Sequence, residues 1–328
     1  MKTISRPLLF AALMVALVLL SLASLSAGKV WVPWSAWLSS ADDPRWAIVF
    51  ELRLPRTILA IAVGTALGLS GAVLQGYTRN ALADPGILGV SSMAAFGAVM
   101  TLYLGMSVSM PWILPVGAMI GAMIGIVVLL VLSSGSYSIL TFLLAGMILN
   151  MVAGAGVSLA LNLAPTPWAV SEIIDWLLGS LADRSIDDVR MAVPVIAVGC
   201  ALLLTVGRAL DALTLGDVGA RSLGIRLERT RFVLALGVGL ATGASVAVTG
   251  VIGFVGLVTP HVVRPLVGAR PGALLLPSAL AGAVIVLMAD IAVRITPSVV
   301  ELKLGVAMAA LGGPFFLMLL IKLRQRAA

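Results

Sequence analysis

The side chains that most often carry enzyme chemistry are scarce in this sequence. The chain has one histidine, His261, and one cysteine, Cys200. A Ser/His/Asp triad or a Cys/His dyad needs a histidine beside its nucleophile, and transition-metal sites usually combine several Cys or His ligands. We therefore expect no catalytic centre, no metal site and no intrachain disulfide. Cys200 lies within an apolar run and is interpreted as a small buried side chain.

The sequence also lacks a signature for nucleotide binding. No G-x-x-x-x-G-K-[ST] loop occurs in it, and this loop is what cradles the phosphates of ATP in many ATPases. We therefore expect no cofactor bound by this chain.

Ionisable side chains are rare where ion-coupled transport would need them. Asp290 is the acidic residue nearest to the centre of an apolar run, and Arg294 follows it one helical turn later, so a local ion pair near the outer surface is expected. Asn150 lies in the middle of another apolar run. It either lines a path or bonds a neighbouring helix. If the chain transports a solute, the simplest inference is that the energy for transport comes from outside this chain.

The composition is that of a membrane protein. Hydrophobic residues make up 61% of the 328 residues and charged residues 11%, whereas soluble domains carry about 25% charged residues. The net charge is +7, but the basic residues lie at the ends of apolar runs and form no stripe interleaved with aromatic residues. They indicate membrane topology and exclude a nucleic-acid partner.

The apolar residues fall in ten stretches that predict an all-α integral membrane protein with about ten transmembrane helices. The eighth stretch is short and rich in glycine and proline, which predicts a broken or half-length helix. The first resembles a signal peptide but is interpreted as an uncleaved first helix. We expect residues 1–328 to form a single transmembrane domain. The stretches cover residues 7–27, 57–76, 86–105, 111–132, 139–162, 189–207, 232–250, 251–262, 272–293 and 304–322.

The distribution of charge predicts the orientation. Ten spans place both termini on one side, and with that side inside, 13 of the 21 basic residues and 4 of the 14 acidic residues lie inside. The positive-inside rule therefore puts both termini in the cytoplasm. The longest inner polar segment is 208–231, with five arginines, and the longest outer one is 163–188, with acidic residues and tryptophans typical of a surface helix.

Seven short blocks resemble the FecCD-type permease family of ABC importers for iron-siderophore, haem and cobalamin. They occur in family order from about residue 50 to the end of the chain, and together they are a specific signal. The blocks are LRLPRT at 52–57, GAVLQ at 71–75, LADPGILGV at 82–90, DWLLGSL at 175–181, LGDVGARSLG at 215–224, GFVGLVTPH at 253–261 and GGPFF at 312–316.

The resemblance implies a type II ABC importer architecture in the bacterial inner membrane. Two permease subunits, expected here as a homodimer, would surround a central path. Two cytoplasmic ATPase subunits would use ATP and Mg, and a periplasmic binding protein would deliver the cargo. The cargo implied is an iron chelate, a siderophore or haem, with cobalamin as the alternative.

The resemblance also assigns residues to roles. Outward arginines of the family receive acidic residues of the binding protein, and the matching positions are Arg53, Arg56 and Arg294; local pairing, with Arg53 near Glu51 and Arg294 near Asp290, is the alternative. Segment 208–231 is expected to couple to the ATPase. Its residues matching the family block are Asp217, Ala220, Arg221, Ser222, Leu223 and Gly224.

The fifth apolar stretch is our hypothesis for the lining of the path, chiefly through Met147, Asn150 and Met151, followed by the tenth. Lys303 departs from the family pattern, in which proline usually follows the preceding Glu-Leu pair, and it lies where it would alter the outer rim of the path. An ion-driven secondary transporter is the rival function, and the lack of carboxylates at mid-membrane positions counts against it.

Overall fold

The computed structural model describes residues 6–38, 43–134, 138–297 and 301–327, and within these ranges the regular structure is entirely helical. Each of the ten predicted apolar stretches overlaps an α-helix, so the prediction of an all-α protein with about ten spans is confirmed. The helices are α1 (Arg6–Ser26), α2 (Leu54–Thr78), α3 (Val90–Tyr103), α4 (Ile113–Leu132), α5 (Ile139–Asn162), α6 (Ile186–Thr205), α7 (Leu227–Thr249), α8 (Val255–Val267), α9 (Pro271–Ile295) and α10 (Leu304–Ala327).

The described helices fall into two length classes. Seven are long and apolar enough to cross a membrane, namely α1, α2, α4, α5, α6, α7 and α9. The shorter apolar helices are α3, α8 and the Leu304–Leu319 part of α10. At about 1.5 Å per residue, the 14 residues of α3 and the 13 of α8 reach only about 20 Å, less than the roughly 30 Å of a hydrocarbon core.

Both short helices start inside the bundle after a non-helical segment. Before α3, the Asp84 carboxylate accepts a hydrogen bond from the Gly86 backbone nitrogen at 2.8 Å and starts a single 3-10 turn, Pro85–Leu88. A Cβ at Gly256, in the first turn of α8, would lie 2.5 Å from Pro85 Cδ and 3.1 Å from the Leu67 carbonyl oxygen, midway along α2. The starts of α3 and α8 therefore meet near the middle of α2.

The prediction of a half-length eighth helix is confirmed, but the third and the eighth predicted stretches both began too early, since α8 starts only at Val255. Residues 86–89 are apolar enough to extend the stretch, yet Gly89 has a left-handed φ of 73° and the α-helix begins only at Val90. Hydropathy does not register this break because the segment is buried in protein, where irregular backbone is tolerated at membrane depth.

A close helix contact joins α2 and α9. A Cβ at Gly64 would lie 2.4 Å from the Gly282 carbonyl oxygen, and one at Gly68 would lie 2.4 Å from the Ser278 carbonyl oxygen. Only glycine allows backbones this close, as the glycines spaced four apart in the sequence indicate. The two helices therefore pack as one unit.

Short helices lie in the connections. Following the predicted topology, we call the end where α1 ends and α2 begins the outer end, and the opposite end the inner end. The outer connections hold the amphipathic helix Pro167–Leu177, where a surface helix is predicted, and a π-helical turn, Ile48–Arg53, that leads into α2. The connection between α6 and α7 holds Gly207–Leu213 and Gly216–Ser222.

Candidate functional site

A buried ion-pair network lies at the outer end and includes two of the three arginines predicted to dock the binding protein. Arg56 Nη2 lies 2.8 Å from Asp290 Oδ1, and Arg294 Nη2 lies 3.0 Å from Asp290 Oδ2. Arg56 also pairs with Glu301. Asp290 is completely buried. The Asp290 carboxylate therefore joins an arginine of α2 to an arginine of α9. The Glu301 carboxylate, in the segment before α10, adds a second pair to the arginine of α2.

Two of the three predicted docking arginines, Arg53 and Arg294, bind the outer end of α1. Arg53 donates through Nη1 to the carbonyl oxygens of Leu25 and Ser26 at 3.0 and 2.7 Å, and through Nη2 to that of Val30 at 2.6 Å. Arg294 donates to the Ser24 carbonyl oxygen at 2.9 Å. The last carbonyl groups of a helix lack partners within it and favour a cation, so these bonds satisfy the end of α1.

The structure brings the three arginines together but buries them. Arg53 and Arg56 are 8% exposed and Arg294 is 6% exposed. The predicted Arg294–Asp290 pair is present, whereas the described hydrogen bonds of Arg53 go to carbonyl oxygens and not to Glu51. Docking of a partner by these residues stays a prediction. In the structure, the same arginines bind the carboxylates of the network and the carbonyl groups at the end of α1.

A cavity of about 320 Å³ opens beside this network. All three arginines line it, together with Lys29 and Arg184. Burial lowers the pKa of the Arg184 guanidinium, and the charges of Asp188 and Asp183 oppose this effect. Arginine stays protonated at neutral pH even so, and the five basic side chains that line the cavity outnumber its two acidic ones, Asp183 and Glu301.

The predicted path residues share an exposed face of α5. Met147 is 46% and Met151 70% exposed, and Asn150 is exposed between them. The Ser92 hydroxyl of α3 donates a hydrogen bond to the Asn150 side-chain oxygen. Asn150 thus bonds a neighbouring helix while it faces outward from the chain, so both interpretations of this residue are compatible with its position.

A close glycine contact sets this orientation of α5. A Cβ at Gly146 would lie 2.5 Å from the Ile87 carbonyl oxygen, and one at Gly89 would lie 2.6 Å from the Gly146 carbonyl oxygen. The face of α5 that carries Gly146 is therefore fixed against the turn before α3. Met147, Asn150 and Met151 are left on the exposed face.

The predicted coupling segment forms a short helix, Gly216–Ser222, at the inner end. Ala220 is fully buried and anchors it, and its carbonyl oxygen accepts a hydrogen bond from the Ile225 nitrogen at 3.1 Å. Gly224 has a φ of 81°, which favours glycine there. Arg221 and Ser222 are exposed. Three apolar side chains also face outward here: Leu215, Val218 (83% exposed) and Leu223.

Ion pairs attach this segment to two of the long helices. Asp217 accepts from Arg79, the residue after α2, at 3.0 Å. Asp211, in the helix Gly207–Leu213, accepts from Arg270 Nε at 2.7 Å and from the Gly272 backbone nitrogen at 2.8 Å, at the start of α9. Displacement of the segment would therefore act directly on α2 and α9.

Several of these contacts were not predicted. The sequence analysis missed Arg56–Asp290, because no local pattern links positions 234 residues apart. It also missed a contact of 3.6 Å between Lys303 Nζ and Asp175 Oδ1, which places Lys303 at the outer end beside the DWLLGSL block. Arg231, counted only as a basic residue of an inner loop, is buried.

Comparison with known proteins gives concordant results. A model described as the FecCD transport family matches residues 15–322. The hemin transport system permease HmuU of Yersinia pestis is 37% identical, over 96% of this chain and 95% of its own length. The vitamin B12 import permease BtuC of Klebsiella pneumoniae subsp. pneumoniae is also 37% identical, over 98% and 96%. An inward-facing structure of a metal-chelate type ABC transporter superposes with a TM-score of 0.87 at 31% identity, over 96% of this chain and 99% of that one.

Proposed function

The chain belongs to the FecCD transport family, and from that membership we propose that it forms the path for an iron chelate, a ferric siderophore or haem, with cobalamin as the alternative cargo. It is a multi-pass membrane permease of an ABC importer. The observation that carries the cargo class is the near full-length similarity to permeases named for hemin and vitamin B12 and to a metal-chelate transporter.

The exposed face of α5 suits such a cargo. Met147 and Met151 present flexible thioether side chains, and Asn150 adds an amide. A bare cation would need fixed carboxylates or several oxygen ligands, and the described residues contain no acidic or Cys/His cluster that could hold a metal. Adaptable, weakly polar side chains fit a large chelate that must bind and leave easily.

ABC permeases pair with ATPase subunits, and we propose the helix Gly216–Ser222 as the contact. Exposed apolar side chains outside a membrane indicate a protein interface, and Leu215, Val218 and Leu223 surround the exposed Arg221. Two ATPase subunits would use ATP and Mg, and this chain would bind no cofactor and catalyse no reaction itself. A second copy of the chain would complete the path.

The orientation follows from charge. In the topology predicted from the sequence, the residues assigned to the inner side carry a net charge of +9 and those assigned to the outer side −2, which supports cytoplasmic termini and an inner-membrane location. At the outer end, the cationic cavity beside Arg53, Arg56 and Arg294 supports docking of acidic residues of a periplasmic binding protein.

The test is uptake into vesicles that contain the chain with its ATPase and are supplied with its binding protein. Labelled ferric siderophore, haem and cobalamin would be compared, with ATP or a non-hydrolysable analogue on the ATPase side. We expect ATP-dependent import of an iron chelate. Import of cobalamin alone would contradict the cargo assignment and retain the family.

A second arm separates this function from ion-driven transport. Ionophores that collapse proton and sodium gradients should leave uptake unchanged while ATP is present. Uptake that stops with the gradients and continues without ATP would overturn the importer assignment.

A further inference from the structure

Arg231 joins four helices at the inner end. It is the fifth residue of α7 and only 6% exposed. Its Nη1 donates at 3.0 Å to the carbonyl oxygen of Ser133, the residue that follows α4, and its Nε donates at 3.3 Å to the hydroxyl of Tyr77 near the end of α2. Its guanidinium carbon lies 5.8 Å from the centre of the Phe142 ring, in the first turn of α5.

The two aromatic rings are part of the same arrangement. Tyr77 and Phe142 pack edge to face, with ring centres 5.8 Å apart and an interplanar angle of 78°. Both side chains are buried, Phe142 completely. The guanidinium thus contacts the face of one ring and the polar edge of the other, and the rings fix each other.

The position of Arg231 along the chain connects two functional regions. The coupling helix Gly216–Ser222 leads through four residues into α7, so a displacement of that helix reaches Arg231 through one turn of backbone. On its other side, Arg231 contacts the end of α4 and the start of α5, the helix that carries Met147, Asn150 and Met151. These contacts form a short physical connection between the coupling segment and the path helix.

We propose that Arg231 is the positioning residue that makes the inner ends of α4 and α5 follow the coupling segment, an inference that rests on the proposed function. Arginine suits this task because its planar group donates several hydrogen bonds in one plane while its face packs on an aromatic ring. Lysine keeps the charge but cannot make all three contacts at once. Coupling between the segment 208–231 and the inner ends of α4 and α5 therefore depends on the planar shape of the guanidinium as well as on its charge.

The test measures one distance in the assembled transporter. Spin labels at Phe232 and Leu140, both exposed, report the starts of α7 and α5. In the unmodified complex, we expect their distance to stay the same between the nucleotide-free and the ATP-trapped state, because the two helix starts move together. In Arg231→Lys we expect it to shift between the states. An equal, unchanged distance in both proteins would overturn the proposal.

A second measurement is the ratio of cargo imported to ATP hydrolysed. We expect Arg231→Lys to lower it roughly tenfold, within the range of coupling free energies between linked sites. Tyr77→Phe removes only the hydroxyl acceptor, keeps the ring and should lower the ratio less. Tyr77→Phe also tests the connection if Arg231→Lys does not assemble. The matched control is Arg190→Lys, an exposed arginine of the outer end, which should leave the ratio unchanged.

Failure of the proposed function would look different. An unmodified complex that imports no chelate would contradict the cargo assignment, while the distance between the two labels would still report on Arg231. Equal ratios in the unmodified protein and in both variants, with normal import, would contradict the role of Arg231 alone.

Discussion

The charged side chains at the outer end show how this chain keeps charge within an apolar body. Asp290 accepts a hydrogen bond from Arg56 and forms an ion pair with Arg294, and both Arg294 and Arg53 donate to carbonyl oxygens at the end of α1. A buried charge is tolerated when it is paired and hydrogen-bonded. Removal of one partner is therefore much more costly here than at an exposed pair.

Asp290→Asn tests this difference. Loss of the carboxylate leaves Arg56 and Arg294 close together without their shared partner, and breaking a buried pair costs about 3–5 kcal/mol. We expect a clear fall in the melting temperature of the detergent-solubilised protein. The control is Asp187→Asn, whose partner Arg190 is also exposed, and there we expect no measurable change. Equal melting temperatures for the two variants would contradict a structural role of the network.

Docking of the binding protein needs a probe that leaves this network intact. Arg53 is the best choice because its described bonds go to carbonyl oxygens, so Arg53→Gln strands no carboxylate. We expect a few-fold weaker docking and a smaller salt dependence, since charges at an interface rim act mainly on association. Binding of the purified partner at two salt concentrations measures this. Arg45→Gln, an exposed arginine at the same end, is the control, and identical effects of both changes would refute a specific role for Arg53.

Among the elements, α10 offers a sharp contrast between neighbouring glycines. A Cβ at Gly312 would lie 2.4 Å from Cβ and Cγ of Phe254, whereas one at Gly313 would meet nothing within 4 Å. Phe254 is the residue immediately before α8, and its backbone has a left-handed φ of 67°. Gly312 therefore permits the approach of α10 to α8, and Gly313 has no such role within the chain.

Substitution by alanine should destabilise the protein at Gly312 but not at Gly313. Gly312→Ala forces Phe254 to shift and should lower the melting temperature, while Gly313→Ala should be neutral or stabilising by up to about 1 kcal/mol through its better helix propensity. Thermal unfolding of both purified variants measures this. A loss of stability in Gly313→Ala equal to that in Gly312→Ala would show that α10 packs differently.

The sequence predicted the helices much better than the contacts between them. Hydropathy located the ten apolar helices α1 to α10, because runs of apolar residues are a local property. It did not locate the start of α3, which depends on the close approach of Pro85 to Gly256 from a distant part of the chain. For the same reason, the grouping of Arg53, Arg56 and Arg294 was expected only from a family resemblance. The local Arg294–Asp290 pair was predicted from the sequence, whereas the pairing of Arg56 with Asp290 and Glu301 came only from the structure.

The contact between the coupling segment and α2 can be tested by exchange of charges. Asp217→Arg places two cations together and should weaken retention of the ATPase, because the coupling helix loses its tie to α2. The double variant with Arg79→Asp restores an opposite pair and should recover most of the retention. Co-purification of the ATPase measures both. Loss of the ATPase in the double variant as well would show that Asp217 itself contacts the ATPase.

At the scale of the molecule, α2 and α9 connect the two ends. At the outer end they share the Arg56–Asp290 pair, and at the inner end Arg79 and Arg270, next to these helices, hold the segment between α6 and α7. Between the ends their backbones touch at Gly64 and Gly282. A unit fastened at both ends and close-packed in the middle transmits displacement with little loss, since packed interiors deform little.

The orientation of this unit in the membrane is the last prediction. If the charge asymmetry sets the topology, the helix Pro167–Leu177 faces outside and the helix Gly216–Ser222 faces the cytoplasm. Ser171 and Ser222 are exposed on these helices, and Cys200 is the only native cysteine. In a Cys200→Ala background, Ser171→Cys should react with an impermeant thiol reagent added to intact spheroplasts, because its thiol is on the reagent's side of the membrane. Ser222→Cys should react only after the membrane is opened. Both variants should react equally in detergent, which controls for the reactivity of each thiol. Labelling of Ser222→Cys, but not of Ser171→Cys, in intact spheroplasts would reverse the topology, and with it the assignment of the coupling and docking ends.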